Sequence, residues 1–288
     1  MPTIRTLMKE TEEKISQVDK DANVAKVLFY HVSGYEPHQL YLNMDEEVDP
    51  DTLKAFNEGI KRYLDGEPIQ YIKGKEFFFS YEFKVNEDVL IPRYETEELV
   101  ENILYRIDDH FKDQESITLC DVGTGSGAIA ITLALEEPKL KVYATDISEK
   151  ALAVAKENAE DLGADVTFYQ GDMCQPLLDH NIKVDVFVSN PPYIPVKQEI
   201  DPRVKNNEPH VALFGGEDGL YFYRKIFSTV KPLLKERAFL AFEMGYDQRE
   251  IMEEAVKQYF PDTPFEIIKD MNGKDRILFI YHNIKHEI

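Results

Sequence analysis

The sequence predicts an α/β fold: a mostly parallel, seven-stranded sheet with helices on both faces, preceded by a small N-terminal helical domain and a connecting β-hairpin. Three observations carry this. Beyond about residue 95, apolar runs of strand length alternate with amphipathic runs of helical length, the pattern of a parallel sheet covered by helices. The first 66 residues show helical periodicity alone. Between them lies an aromatic stretch, "FFFSYEFKVNED", rich in strand formers and ending in turn formers. The expected divisions are 1–66 (helical domain), 67–94 (hairpin linker) and 95–288 (main domain).

The elements come in order along the chain. Ile4, Leu7, Met8, Ile15 and Val18 recur at helical spacing, as do Val24, Val27, Leu28 and Val32. Asp21 can cap that second helix and Gly34 can end it, with His31 on its apolar face in the core. A further helix begins near "DPDTLKAF" with Leu53, Phe56, Ile60 and Leu64 on one side and Gly66 as its stop. Asn86, Glu87 and Asp88 supply the turn of the hairpin, which "VLIP" continues. Strict alternation prevents Phe77, Phe78 and Phe79 from sharing one face. "TEELVENILYRI" reads as a helix leading into the sheet. Strands are expected at 117–122, 140–145, 165–169, 184–189, 237–243, 264–269 and 276–281, and helices at 127–136, 148–162, 218–233 and 247–259.

The 288 residues suffice for a large core, with 43% apolar and 11% aromatic content. A net charge of −21 argues against a protein that coats nucleic-acid phosphates, which needs Lys and Arg. Cys120 and Cys174 are the two cysteines and form no CxxC pair, and the histidines show no metal spacing; neither a disulfide framework nor a metal site is expected. No apolar run approaches the roughly 18 residues of a membrane span, and the N-terminus lacks a signal-peptide core. A cytoplasmic monomer is the expectation.

The first chemical signal is "ITLCDVGTGSGAIAITLAL". An apolar strand ends in Asp121, a loop carries Gly123, Thr124, Gly125, Ser126 and Gly127, and an Ala- and Ile-rich helix comes next. Glycines there let the backbone turn sharply and approach a ligand. The spacing is GxGxG, unlike the GxGxxG dinucleotide fingerprint, and it lacks the Lys-Ser/Thr of a phosphate loop. Asp146, with Ile147 next to it, closes the next strand, where an acidic residue holds a ribose diol. "QGDMCQP" adds Asp172 and Met173 at a third strand end. Asp121 suits the amino group of a methionyl moiety and would repel a pyrophosphate. The set favours S-adenosylmethionine over a dinucleotide.

The second signal is "VSNPPYIP". Two prolines end a strand and stiffen the loop beyond it. Asn190 then sits at the sheet's carboxyl edge, facing the same crevice. A planar NH2 nucleophile needs two acceptors to fix its plane. The Asn190 side-chain oxygen supplies one and the Pro191 carbonyl, held by Pro192, the other. Accepting both N–H bonds stabilises positive charge growing on nitrogen. Alignment alone can supply about 7–11 kcal/mol of a barrier. Tyr193 can pack on the target group, an aromatic face near a sulfonium being favourable. No strong general base is required.

Several methyltransferases share these four residues, adenine-N6 enzymes on RNA or DNA among them. The chain as a whole closely resembles the bacterial peptide chain release factor glutamine-N5 methyltransferase family. The motifs are "DGEPIQYIKGKEFFF", "LIPRYETEELVE", "DVGTGSGAIAI", "SNPPYI", "NNEPHVALFGGEDGL" and "NGKDRIL". The resemblance implies a Rossmann-like class I methyltransferase sheet, S-adenosyl-L-methionine as cofactor, and the glutamine of a release factor's Gly-Gly-Gln loop as target. It also implies cofactor contacts at Gly123 to Gly127, Asp146, Met173 and Asn190, and glutamine contacts at Asn190, Pro191 and Tyr193. Arg93, Glu95 and Glu208 fall in its substrate-side motifs. Tyr94, Phe214 and Met173 depart from the family's usual residues without removing a group the chemistry needs.

An adenine-N6 enzyme would call for a basic groove or recognition module. A non-catalytic S-adenosylmethionine-binding partner protein would predict decay at Asn190 or the glycine loop. The chain shows neither.

Overall fold

The structure, a computed structural model, describes residues 1–18 and 21–285. The chain forms two compact units, Met1–Lys75 with Asp201–Asn207, and Glu76–Ile200 with Glu208–Ile288.

The first unit is helical: α1 (Ile4–Ser16), α2 (Val24–Ser33), α3 (Pro37–Leu42), α4 (Pro50–Leu64) and α5 (Ile69–Lys73), joined by the later short helix Pro202–Asn207. Thr3 caps α1 by accepting from Thr6 N, and Asp49 caps α4 by accepting from Thr52 N. Leu7, Met8, Leu28, Phe29, Phe56 and Ile60 form its core. Three expectations change here. α1 stops at Ser16 and Val18 is exposed. His31 is also exposed: the stripe through Leu28 and Val32 leaves it at the edge of the last turn, outside the core. Asp21 acts one step earlier than expected, its Oδ1 accepting from Asn23 N at 2.9 Å while Asn23 takes the cap position.

The second unit opens on the hairpin, β1 (Lys75–Phe78) and β2 (Tyr81–Lys84). Its turn is Phe79-Ser80, both at positive φ (51° and 69°), the geometry a two-residue hairpin needs. Asn86, Glu87 and Asp88 instead make a later turn, with Asp88 N donating to Asn86 Oδ1, and "VLIP" leaves the hairpin without pairing. Phe78 is buried and Phe77 exposed, as alternation demands. The rest runs α6 (Tyr94–Phe111), β3 (Ile117–Val122), α7 (Ala128–Glu136), β4 (Leu140–Asp146), α8 (Glu149–Leu162), β5 (Val166–Gln170), α9 (Gln175–Asp179) and β6 (Val184–Ser189). After α10, the Pro202–Asn207 helix, come α11 (Tyr221–Thr229), β7 (Leu234–Glu243), α12 (Arg249–Tyr259), β8 (Phe265–Lys269) and β9 (Asp275–His282).

The sheet order is β5-β4-β3-β6-β7-β9-β8. β3, β4, β5, β6 and β7 pair in parallel, and β9 runs antiparallel to both its neighbours. One apolar layer, including Leu99, Ile103, Leu133, Val186 and Phe239, covers one face; another, including Tyr223, Phe227, Phe242, Met252 and Val256, covers the other. Strand order reverses between β3 and β6, so the chains leaving Val122 and Ser189 diverge and open a crevice at their carboxyl ends.

Candidate active site

That crevice holds a cavity of about 230 Å³. Gly123 and Gly125 floor it after β3, Asp146 and Ile147 after β4, Asp172 and Met173 after β5, and Asn190, Pro191 and Pro192 after β6. The first four predicted strand ends therefore contribute to one space. Asp121, Thr124, Ser126, Gly127 and Tyr193 are not among the residues that line it, nor are Arg93, Glu95 and Glu208.

The glycine turn is built by its neighbours. Gly127 lies at φ 84°, and a Cβ there would meet Ile131 Cδ1 at 2.6 Å and Ala155 Cβ at 3.2 Å, so only glycine lets α7 start this close to α8. Thr124 Oγ1 donates to Asp121 Oδ2 at 2.6 Å. Asp121 Oδ1 is buried with no hydrogen-bond partner among the described residues. Burial pushes the Asp121 carboxyl up to about 7. Asp146 accepts Gly125 N on one oxygen at 2.9 Å and Ser148 N on the other at 2.8 Å. Burial raises its pKa and these donors oppose the rise. Its remaining lone pairs suit a diol.

These residues fit S-adenosylmethionine. The orphaned Asp121 oxygen could meet an ammonium group, Asp146 a ribose, and the side chains of Ile147 and Met173 an adenine. Met173 holds its backbone at φ 49°, with Thr145 Oγ1 donating to its carbonyl at 3.4 Å. Asp172 forms an ion pair with Lys225.

Across the cavity, the Asn190 turn is held from several sides. Ser189 Oγ donates to Val122 O at 2.5 Å, joining the two strand ends of the switch point. Ile194 N donates to Leu213 O, and Gly215 N to Ile194 O. Gln248 Nε2 donates to Tyr193 O at 2.8 Å. A Cβ on Gly215 would lie 2.3 Å from Pro192 O, so the "FGG" segment can press on the turn only as glycine. Asn190 Nδ2 donates to Thr96 Oγ1 at 3.4 Å. No described residue donates to Asn190 Oδ1 or to Pro191 O. Tyr193 OH donates to Glu243 Oε1 at 3.2 Å, and burial raises its own pKa.

Arg93 and Glu208 pair with each other, and Glu208, almost wholly buried, also accepts from Ile91 N at 3.2 Å. Glu95 is half-buried. Leu90, Val211 and Ala212, which fall inside the motifs quoted above, also line the cavity; sequence reasoning passed over Phe222 and Lys225, which line it too. It also passed over Asn158, which ties the glycine turn to the hairpin by donating to Ser126 O and Lys84 O. No local pattern marks Lys225 or Asn158: each acts through a partner distant in sequence.

A sheet that reverses between β3 and β6, with a ribose-type carboxylate beside one arm and an amide-bearing proline turn on the other, defines a class I S-adenosylmethionine-dependent methyltransferase. Comparison with known proteins is specific. The family model described as methyltransferase small domain matches residues 105–207, and that described as PrmC N-terminal domain matches residues 6–74. The release factor glutamine methyltransferase of Bacillus cereus is 47% identical over 262 residues, 90% of this chain and 92% of that protein. Its Bacillus subtilis counterpart is 40% identical over 280 residues, 96% and 97% of the two chains. The chain belongs to the release factor glutamine methyltransferase family. Among solved structures, a methyltransferase from Pyrococcus furiosus shares the fold at TM-score 0.53 and 18% identity, covering 78% of this chain and 98% of that one.

Proposed function

We propose that the chain transfers a methyl group from S-adenosyl-L-methionine to the side-chain amide nitrogen, N5, of the glutamine in the Gly-Gly-Gln loop of a peptide chain release factor. The observation that carries this is the pair of acceptors, Asn190 Oδ1 and Pro191 O, at the end of β6 in the same cavity as Gly123, Gly125 and Asp146. S-adenosylmethionine supplies a methyl group already activated on a sulfonium. The chain's own task is positioning. Asn190 and Pro191 fix the plane of the glutamine NH2 and favour positive charge on its nitrogen. Pro192 stiffens the turn, and Tyr193 backs it. Asp121, Thr124, Ser126 and Gly127 shape the glycine turn; Asp146, Ile147, Asp172 and Met173 complete the cofactor side. Arg93, Glu95 and Glu208 shape the substrate approach. The released proton passes to water, since a methylated amide nitrogen bearing positive charge is strongly acidic.

The partner is a release factor rather than a nucleic acid, in keeping with a net charge of −21. Among the described residues, no helix is long and apolar enough to cross a membrane. The protein acts as a cytoplasmic monomer.

The test is transfer of labelled methyl to purified release factor and to its Gln→Ala loop variant. Label on the first alone supports the reading, and label on RNA overturns it. Asn190→Ala is expected to abolish turnover with cofactor binding largely retained. Normal turnover at saturating cofactor would remove the role given to Asn190.

A further inference from the structure

Glu243, the last residue of β7, is 2% exposed, and the transfer chemistry assigned to the crevice gives it no role. Its two oxygens are both engaged by hydroxyls. Thr96 Oγ1 donates to Oε2 at 2.6 Å, and Tyr193 OH donates to Oε1 at 3.2 Å. Burial raises the Glu243 pKa, and the Thr96 hydroxyl, the nearby Arg276 guanidinium and the Tyr193 hydroxyl oppose that rise by favouring the charged form. Thr96, in the first turn of α6, is itself 4% exposed.

A hydroxyl has one proton. Thr96 gives that proton to a carboxylate that can only accept. Its oxygen then has only lone pairs left for Asn190, so the Asn190 side chain must present its NH2 group there. The observed contact is that one, Asn190 Nδ2 on Thr96 Oγ1. The amide oxygen is thereby left for the cavity that Asn190 lines. Were the hydroxyl free to turn, the amide could flip and offer N–H donors to an incoming NH2 group, which has no acceptor to give.

We propose that Glu243 and Thr96 are positioning residues: the buried carboxylate, acting through the Thr96 hydroxyl, selects the amide orientation of Asn190 and, through Tyr193 OH, holds the other end of the same turn. One buried carboxyl group, accepting from both hydroxyls, thus sets the polarity of the Asn190-Pro191-Pro192-Tyr193 turn from behind. This rests on the reading of Asn190 Oδ1 as the acceptor of the glutamine N–H.

The test uses Thr96→Val, which keeps shape and removes the hydroxyl, Thr96→Ser, which keeps it, and Glu243→Gln. In Glu243→Gln the new NH2 can donate to Thr96, which lets the hydroxyl turn its proton to Asn190. Thr96→Val and Glu243→Gln are expected to lower kcat by ~10- to 100-fold, the scale of losing one preorganised partner. The KM for release factor and the Kd for S-adenosylhomocysteine stay within about twofold, since the loss falls on the transition state. Thr96→Ser returns kcat to within about threefold of the parent.

A second readout is independent of turnover. The Asn190 side-chain amide signal in asparagine-selective 15N spectra, assigned by its loss in Asn190→Ala, shifts in Thr96→Val and returns in Thr96→Ser. Parent-like kcat in Thr96→Val, an unmoved amide signal, or no rescue by serine overturns the proposal. Should Thr96→Val fail to fold, Glu243→Gln decides: lost kcat with an altered amide signal supports it, and parent values overturn it. If Asn190→Ala keeps full activity, the functional reading fails first; if only the Thr96 and Glu243 variants do, that reading stands and this inference falls.

Discussion

The side chain of Asn158 holds the main chain of Lys84 from both sides. Its Oδ1 accepts from Lys84 N at 2.7 Å and its Nδ2 donates to Lys84 O at 3.0 Å. The same Nδ2 donates to Ser126 O at 2.9 Å. The residue is 1% exposed. Asn158→Ala takes a partner from the Lys84 N–H and C=O and from the buried Ser126 C=O. A loss of about 2–3 kcal/mol is expected, read as a lower urea midpoint with an unchanged slope. An unchanged midpoint would show that the clamp contributes nothing.

Asp121 makes stability depend on pH. Its carboxyl is pushed up to about 7 by burial, from an ordinary 3.8. The folded state thus holds a proton that the unfolded chain gives up between those values, so stability falls as pH rises from about 4 to 7. The full shift corresponds to roughly 4 kcal/mol. Asp121→Asn is expected to flatten this part of the profile in urea titrations. A cation brought beside Asp121 Oδ1 reverses the cost, so binding of S-adenosylhomocysteine near pH 7 should release a proton. Calorimetry in buffers of different ionisation enthalpy measures that proton; the Asp121→Asn variant should lack it.

Gly215 tests how tightly the proline turn is braced. An added Cβ would sit 2.3 Å from Pro192 O and 2.9 Å from Tyr193 Cα, both backbone atoms that cannot step aside alone. Gly215→Ala is expected to displace the turn and lower kcat by about 100-fold, as a misplacement near 1 Å does. S-adenosylhomocysteine affinity should stay near the parent value, because the glycine turn after β3 is untouched.

The Arg93–Glu208 pair has one buried end: the Glu208 side chain is 2% exposed and that of Arg93 36%. Arg93→Ala strands a carboxylate away from water, with an expected loss of about 3 kcal/mol. Adding Glu208→Gln should recover much of it, since the amide still needs no countercharge. A double variant as unstable as the single one would contradict this account.

The fold was legible where local pattern and burial agree. The runs "ITLCDV" and "VDVFVS" are buried at nearly every position, and both match the expected strands end to end. The hairpin turn was not, because Phe79 and Ser80 adopt left-handed backbone without the Asn or Gly that usually announces it. His31 misled because a ten-residue helix has an ill-defined stripe edge. On the cavity, strand-end residues were readable since each comes directly after an apolar run. Glu243 was invisible: it too ends a strand, but its partner Thr96 lies 147 residues away. Lys225 and Asn158 escaped for the same reason.

Glu243 and Gln248 are synthesised after residues 190–193, yet they fasten the turn made there. During translation the nucleoside side of the crevice, from β3 to β5, can assemble well before its opposite wall is locked. Competence for transfer waits on the synthesis of β7.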